Sequence, residues 1–184
     1  MPGIDESRAF LSVQIAVLTI SDSRRFAEDR SGQTLVDRLT QAGHRLAARA
    51  VVQDEEVAIV HQLQEWLKDP QVDVVIATGG TGVTGRDVTP EAFRQLFEKE
   101  IPGFGELFRQ ISFPKIGTAS LQSRATAGVA QGKYLFALPG SPSACQDAWD
   151  EILRWQLDSR YRPCNLVDLM PRLQEHQKTV GHLH

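Results

Sequence analysis

Apolar residues along this chain follow two rhythms: unbroken runs, and segments in which they recur every three or four positions. Residues 13–20 are nearly all apolar and β-branched, which predicts a strand buried on both faces. After the polar run Ser21-Asp22-Ser23-Arg24-Arg25, Leu35, Val36, Leu39 and Ala42 fall on one helical face. Ser31 is the expected cap of that helix and Gly43 its stop. Residues 46–52 read as a second strand. Val57, Val60, Leu63 and Leu67 mark a second helix, with Asp54 as its expected cap and Pro70 at its close. Residues 72–78 form a third predicted strand, which runs straight into Gly79-Gly80-Thr81-Gly82.

A turn-rich stretch over 83–88 leads to Thr89-Pro90-Glu91. These read as a cap residue, a proline at the first helical position and an acid in the first turn. Pro102-Gly103-Phe104-Gly105 is expected to break that helix, which resumes over 106–111. Residues 134–138 are the last clear strand. Beyond it, Ser141 caps and Pro142 starts a long helix with Cys145, Ala148, Trp149, Ile152 and Leu153 as its core stripe. The chain is polar after Met170, with His176, His182 and His184, and reads as a frayed tail. Strands alternating with helices predict an α/β fold of three layers around a mainly parallel sheet. The expected organisation is an arm over 1–12, one domain over 13–170 and a tail over 171–184. Ligands of such sheets bind at the carboxyl ends of the strands. Three predicted strands end there in polar or glycine-rich loops: Thr19-Ile20-Ser21-Asp22, Thr78 to Gly82, and Leu138-Pro139-Gly140-Ser141.

Composition narrows the function classes. With 20 basic and 23 acidic residues among 184, the formal charge of −3 argues against a protein held to nucleic acid or an anionic membrane by bulk positive charge. An apolar fraction of 41% and a charged fraction of 23% are ordinary for a folded globular chain. The N-terminus lacks a basic n-region, and the apolar runs fall short of the roughly 18 residues a membrane helix needs. Cys145 and Cys164 form no Cys-x-x-Cys pair, so a reducing cytoplasm is the expected location.

The candidate chemistry sits in the loops. Gly80 to Gly85 formally fits the dinucleotide pattern G-x-G-x-x-G. However, it follows the third strand rather than the first, its helix starts late, and no strand-ending acid follows about 20 residues on. A Walker-A reading fails because no Gly-Lys-Ser/Thr occurs. Gly79-Gly80-Thr81-Gly82 still suits an anion nest, since glycines let backbone N–H groups turn inward and Thr81 adds a hydroxyl. The plain alternative is a tight turn. Asp22 and Asp87 read equally well as turn residues, and Asp54 as a helix cap. Together, three carboxylates near one sheet edge could hold a magnesium ion beside substrate phosphates. Ser141 and Ser143 flank a helix start that attracts anions, and no nucleophile elbow surrounds Ser141. His44 and His61 stand apart from any ligand spacing, and Cys164 reads as structural.

Taken together, Thr19-Ile20-Ser21-Asp22, Gly79-Gly80-Thr81-Gly82, Arg86-Asp87-Val88-Thr89-Pro90-Glu91, Pro102-Gly103-Phe104 and Pro139-Gly140-Ser141-Pro142 resemble the MoaB/Mog family of molybdopterin-binding proteins. The likeness spans about residues 13 to 170. Leu121 to Ala125 and Arg162-Pro163-Cys164-Asn165 look most like the MoaB branch. The resemblance implies a three-layer α/β fold that assembles as a trimer or hexamer, and Mg-ATP-dependent adenylylation of molybdopterin with release of pyrophosphate. Carried over by motif, Asp54 and Asp87 match the family's essential, magnesium-holding aspartates. Ser21, Asp22, Thr78, Gly79, Gly80, Thr81, Gly82, Glu91, Ser123, Arg124, Pro139, Gly140, Ser141 and Ser143 match its pterin and phosphate contacts. Ala125 stands where some members carry serine, and Ser141 where other branches carry Asn or Gln. The alternative is a module that binds molybdopterin or its precursor without turnover.

Overall fold

A computed structural model of the chain describes residues 1–23 and 25–178. Its strands are β1 (Gly3–Ile4), β2 (Gln14–Ile20), β3 (Arg45–Val52), β4 (Val74–Thr78), β5 (Lys99–Glu100), β6 (Thr126–Ala130), β7 (Lys133–Leu138) and β8 (Tyr161–Arg162). The main helices are α1 (Arg30–Gln41), α2 (Glu56–Lys68), α3 (Thr89–Arg94), α4 (Pro102–Ile116) and α5 (Pro142–Ala148). The last continues through a π-helical turn, Trp149–Leu153, into Arg154–Gln156. Six strands form one sheet in the order β3-β2-β4-β7-β6-β5. The first four are parallel, and β6 and β5 extend the sheet antiparallel. This is the mainly parallel three-layer α/β arrangement that the alternating rhythm predicts.

The apolar strands separate two cores because successive side chains point to opposite faces. Ile15, Val17, Val74, Ile76, Tyr134 and Phe136 pack under α1, α4 and α5. Ala16, Leu18, Val75, Ala77 and Leu135 pack under α2 and α3. The predicted stripe of Cys145, Ala148, Trp149, Ile152 and Leu153 is buried throughout.

Several local expectations are corrected. Asp29, not Ser31, caps α1: its Oδ1 accepts from Gly32 N at 2.9 Å, and Ser31 lies inside the helix, donating from Oγ to Gly140 O at 2.8 Å. Glu55, not Asp54, occupies the cap position of α2, and no side chain caps that end. Thr89 is the first residue of α3 rather than its cap, and its hydroxyl donates to Gly79 O at 2.8 Å. Pro102-Gly103 begins α4 instead of breaking a helix, because proline at the first turn removes only an N–H that had no partner there. The hairpin β6–β7 was not expected. Thr126–Ala130 is too poor in large apolar residues to read as a strand, and its two-residue turn uses positive φ at Gln131 (50°) and Gly132 (77°).

The arm is not loose. β1 pairs with β8, Leu11 N donates to Ser159 Oγ at 2.9 Å, and Arg8 pairs with Asp168 at 2.9 Å. Within the expected tail, a helical turn spans Glu175–Lys178 and includes an exposed His176; His182 and His184 lie outside the described residues. No helix among the described residues is long and apolar enough to cross a membrane. Cys145 is buried, its thiol 3.2 Å from the Thr78 hydroxyl oxygen, and Cys164 is exposed.

One buried ion pair anchors the start of α1. Asp29 Oδ2 accepts from Arg49 Nη2 at 3.0 Å and from the Thr19 hydroxyl at 2.7 Å, with the Asp29 side chain fully shielded and Arg49 10% exposed. Asp29→Asn, which keeps a capping oxygen but leaves the Arg49 charge unpaired, is expected to lower unfolding free energy by about 3 kcal/mol. Urea unfolding followed by circular dichroism measures it, and an unchanged midpoint would show that the pair contributes nothing net.

Candidate functional site

The carboxyl ends of β2, β4 and β7 meet through glycine backbone. Gly79 (φ 110°) and Gly80 (φ 67°) both take left-handed conformations that favour glycine. A Cβ on Gly79 would stand 2.2 Å from the Ile20 carbonyl oxygen, at the end of β2. Gly79 N donates to Leu138 O at 2.9 Å and the Thr78 hydroxyl donates to Pro139 O at 2.8 Å, which ties the end of β4 to that of β7. Ser21 N in turn donates to Val52 O at 2.9 Å, tying β2 to β3.

The loop after β4 is held from outside. Thr89 N donates to Gly80 O at 3.0 Å and Arg124 N donates to Thr81 O at 2.9 Å. The Arg124 guanidinium donates to Gly82 O at 2.6 Å and to Asp87 O at 2.8 Å, and pairs with the Glu91 carboxylate. That pairing holds Glu91 below the usual carboxylate range. The Asp87 carboxylate closes the same turn, accepting from Thr84 N at 2.9 Å, from the Thr84 hydroxyl at 2.7 Å and from the Gly82 amide. Burial pushes Asp87 up, but these bonds outweigh it and hold it below its ordinary 3.8. Asp87 is therefore a turn-closing residue as well as a cavity-lining one.

A cavity of about 440 Å³ opens beside this loop. Gly80, Thr81, Gly82 and Asp87 form one wall. Ser123, Pro139, Gly140, Ser141 and Ser143 form another, and α4 supplies Phe108, Ser112, Lys115 and Ile116. Ser141 caps α5 by accepting from Ala144 N at 3.1 Å, and its hydroxyl lies 3.3 Å from that of Ser143. Lys115 Nζ stands 2.6 Å from Asp147, which also lines the cavity.

Asp22 and Asp54 lie behind the glycine wall. Asp22 pairs with Arg86 at 2.6 Å and accepts from Asp54 N at 3.0 Å, and these bonds hold its carboxyl low. Asp54 Oδ1 is shielded from solvent and has no hydrogen-bond partner. It faces Gly80 so closely that a Cβ there would stand 2.7 Å away, as a Cβ on Gly82 would from Asp87 Oδ2. Burial raises the Asp54 pKa, and the charges of Asp22 and Asp87 raise it further. The three aspartates do not form one ligand set: among the described residues, no group of three or more acidic, histidine or cysteine side chains could hold a metal ion. Asp22 is turned to Arg86 instead.

The family model described as probable molybdopterin binding domain matches residues 16–159. This chain belongs to the MoaB family. Molybdenum cofactor biosynthesis protein B of Escherichia coli (strain K12) is 48% identical over 159 residues, 86% of this chain and 94% of that protein. Its Bacillus subtilis (strain 168) namesake is 44% identical over 142 residues, 77% and 84% of the two chains. A crystal structure of molybdenum cofactor biosynthesis protein B superposes with a TM-score of 0.82 at 37% identity, covering 91% of this chain and 99% of its own. The tungsten cofactor synthesizing protein MoaB from Pyrococcus furiosus superposes at 0.70 with 35% identity over 77% and 91%.

For this MoaB-family chain, the cavity gathers nine of the residues named from the sequence: Gly80, Thr81, Gly82, Asp87, Ser123, Pro139, Gly140, Ser141 and Ser143. Ser21, Asp22, Asp54, Thr78, Gly79, Glu91 and Arg124 stand outside its lining; of these, Thr78, Gly79 and Arg124 bond to the loops that form its walls, and Glu91 pairs with Arg124. The α4 contribution was not expected from the sequence. Phe108, Ser112 and Lys115 recur at helical spacing, so an unbroken α4 from Pro102 would have put them on one face.

The Asp54 environment has a pH signature. Its folded pKa lies above the ordinary 3.8, so the folded state disfavours the ionised form, and the cost appears as pH rises from 3.8 through the folded value. Asp54→Asn is therefore expected to unfold at a higher temperature than wild type at pH 7, with the gap closing as pH falls towards 3.8. Thermal scans across that range test this, and a gap that stays constant or reverses would place the carboxylate in a different environment.

Proposed function

We propose that this chain binds molybdopterin and adenylylates it with ATP. The observation that supports this reading most is the juxtaposition of the glycine wall, the Asp87 carboxylate and the orphaned Asp54 oxygen beside a cavity of small-molecule size. In the proposed reaction an oxygen of the terminal phosphate of molybdopterin attacks the α-phosphorus of ATP. A new P–O bond forms, the bond to the bridging oxygen breaks, and pyrophosphate leaves with that electron pair. Such transfers ask for positioning and charge neutralisation rather than a covalent residue.

Each part of the chain has a place in this reading. Gly80, Thr81 and Gly82 form a cavity wall with few side-chain atoms, which leaves room beside it for a phosphate. The Ser141 and Ser143 hydroxyls offer donors to a second anionic group. Phe108 and Ile116 give the cavity an apolar wall suited to the face of a pterin ring. Asp54 and Asp87 fit a magnesium ion, since both are hard oxygen donors and one is shielded without a partner. When bound, magnesium offsets charge on the leaving pyrophosphate. Arg124 and Glu91 hold the loop in register, and the aspartates keep their places through Thr84 and the Asp54 backbone.

Purified protein incubated with molybdopterin, ATP and magnesium is expected to form adenylyl-molybdopterin and pyrophosphate. Asp87→Asn is expected to cut the rate roughly a hundredfold, about 3 kcal/mol of transition-state stabilisation, with a stability loss of about 1 kcal/mol from its weakened turn. Product formation resolved by chromatography is the readout. Molybdopterin binding with no product from wild type would instead make the chain a binding module.

The same reading carries self-association in threefold units. Leu107, Phe113 and Leu121 stand exposed on α4 and the turn after it, apolar area that a partner copy would cover. Light scattering at micromolar concentration is expected to give a trimer or hexamer mass, and a monomer alone would contradict this.

A further inference from the structure

We propose that Lys115 is the phosphate-binding side chain of the cavity and that Asp147 is the counter-ion it exchanges for a ligand phosphate. The inference rests on the cavity serving a phosphorylated small molecule, as proposed above, and adds a residue that the glycine and serine motifs do not contain.

Among the described residues that line the cavity, Lys115 is the sole basic side chain, while Asp87 and Asp147 are both acidic. A phosphate entering that space meets a wall of glycine backbone, the hydroxyl-bearing side chains of Thr81 and four serines, and two carboxylates. Without a cation, the carboxylates would repel it. Other cations near the loop are already committed. Arg124 is spread over Gly82 O, Asp87 O and Glu91, and Arg86 over Asp22 and Glu55. Lys115 has one carboxylate partner, at 2.6 Å, and its side chain remains 52% exposed. An exposed pair of this kind is held weakly, and an ammonium on four rotatable bonds can turn from one anion to another. A dianionic phosphate competes well with a single carboxylate for that ammonium.

Lys115 also lies in the last turn of α4, where a cation would sit favourably whatever the cavity binds. The two roles predict different results. A helix-end charge affects stability alone, whereas a phosphate partner affects affinity for phosphorylated ligands only.

The test titrates wild type, Lys115→Gln, Lys115→Arg and Asp147→Asn with three probes: molybdopterin, Mg-ATP and the pterin lacking its phosphate. Lys115→Gln is expected to weaken binding of the phosphorylated ligand about tenfold and to leave the phosphate-free pterin within about twofold of wild type. Lys115→Arg is expected to restore most of the affinity. Asp147→Asn is expected to tighten phosphate binding, because it removes both the competitor and a repelling charge. Weakening confined to molybdopterin assigns Lys115 to the pterin phosphate, and weakening confined to Mg-ATP assigns it to the nucleotide. Binding of phosphorylated probes by Lys115→Gln within twofold of wild type overturns the proposal, as does equal weakening for the phosphate-free pterin. Wild type that binds Mg-ATP but not molybdopterin refutes the adenylylation reading, while the nucleotide arm still decides Lys115. Wild type that binds neither phosphorylated probe overturns both.

Discussion

The site depends on the absence of a side chain at Gly79. Its Cα lies where the ends of three parallel strands converge, against the Ile20 carbonyl on one side and Gly140 on the other. A Cβ at that point would push β2 and β4 apart or force the backbone out of its left-handed turn. With the approach intact, the loops after β2, β4 and β7 share one rim, and everything the rim carries is brought within reach of one small molecule. Brought together this way, the loops need few residues of their own, since the sheet supplies the alignment.

Rigidity at the rim comes from groups that face inward. Arg124, just before β6, reaches to the turn at Gly82 and Asp87, so the approach to the antiparallel edge of the sheet props the loop of its parallel centre. Asp29 does the same for the loop after β2, through Arg49 of the neighbouring strand. Lined mostly by backbone and short side chains, the cavity gains its shape from these longer residues outside it.

Much of this was legible in the residues. The central strands announce themselves because a strand buried on both faces must be apolar with little interruption, as the run Val74 to Ala77 is; β3, at the sheet edge, is half-exposed and interrupted by Arg49. Glycines at strand ends pointed to the rim as an anion nest, whereas the structure shows Gly79 fixed there by its close approach to Ile20. What was not legible depended on tertiary pairing. Asp29 outcompetes Ser31 as a cap because Arg49 and Thr19, distant in sequence, already hold its carboxylate in place. Thr126–Ala130 becomes a strand because β7 and the ring of Phe97 accept small residues such as Gly128 there, not because its own residues favour one. Asp54 fits a cap by type, and only the fold decides that Glu55 takes the position and that neither side chain serves as a cap. On the cavity's far wall, α4 was hidden by a Pro-Gly pair that reads as a break and acts as a beginning.

The pairing of the chain's two ends bears on how the protein is made. The arm around Gly3–Ile4 finds its strand partner only at Tyr161–Arg162, and Arg8 finds its carboxylate only at Asp168. During synthesis at roughly 5–20 residues per second, the arm waits for about 8–30 s after it leaves the ribosome before that partner exists. Over that interval β2, β3 and β4 can pair among themselves, but β7 and the helix that follows it are still missing from the first core. Folding of the nascent chain is therefore completed from its last third, and a ribosome that stalls before Tyr161 leaves an unlatched N-terminus over an unfinished sheet.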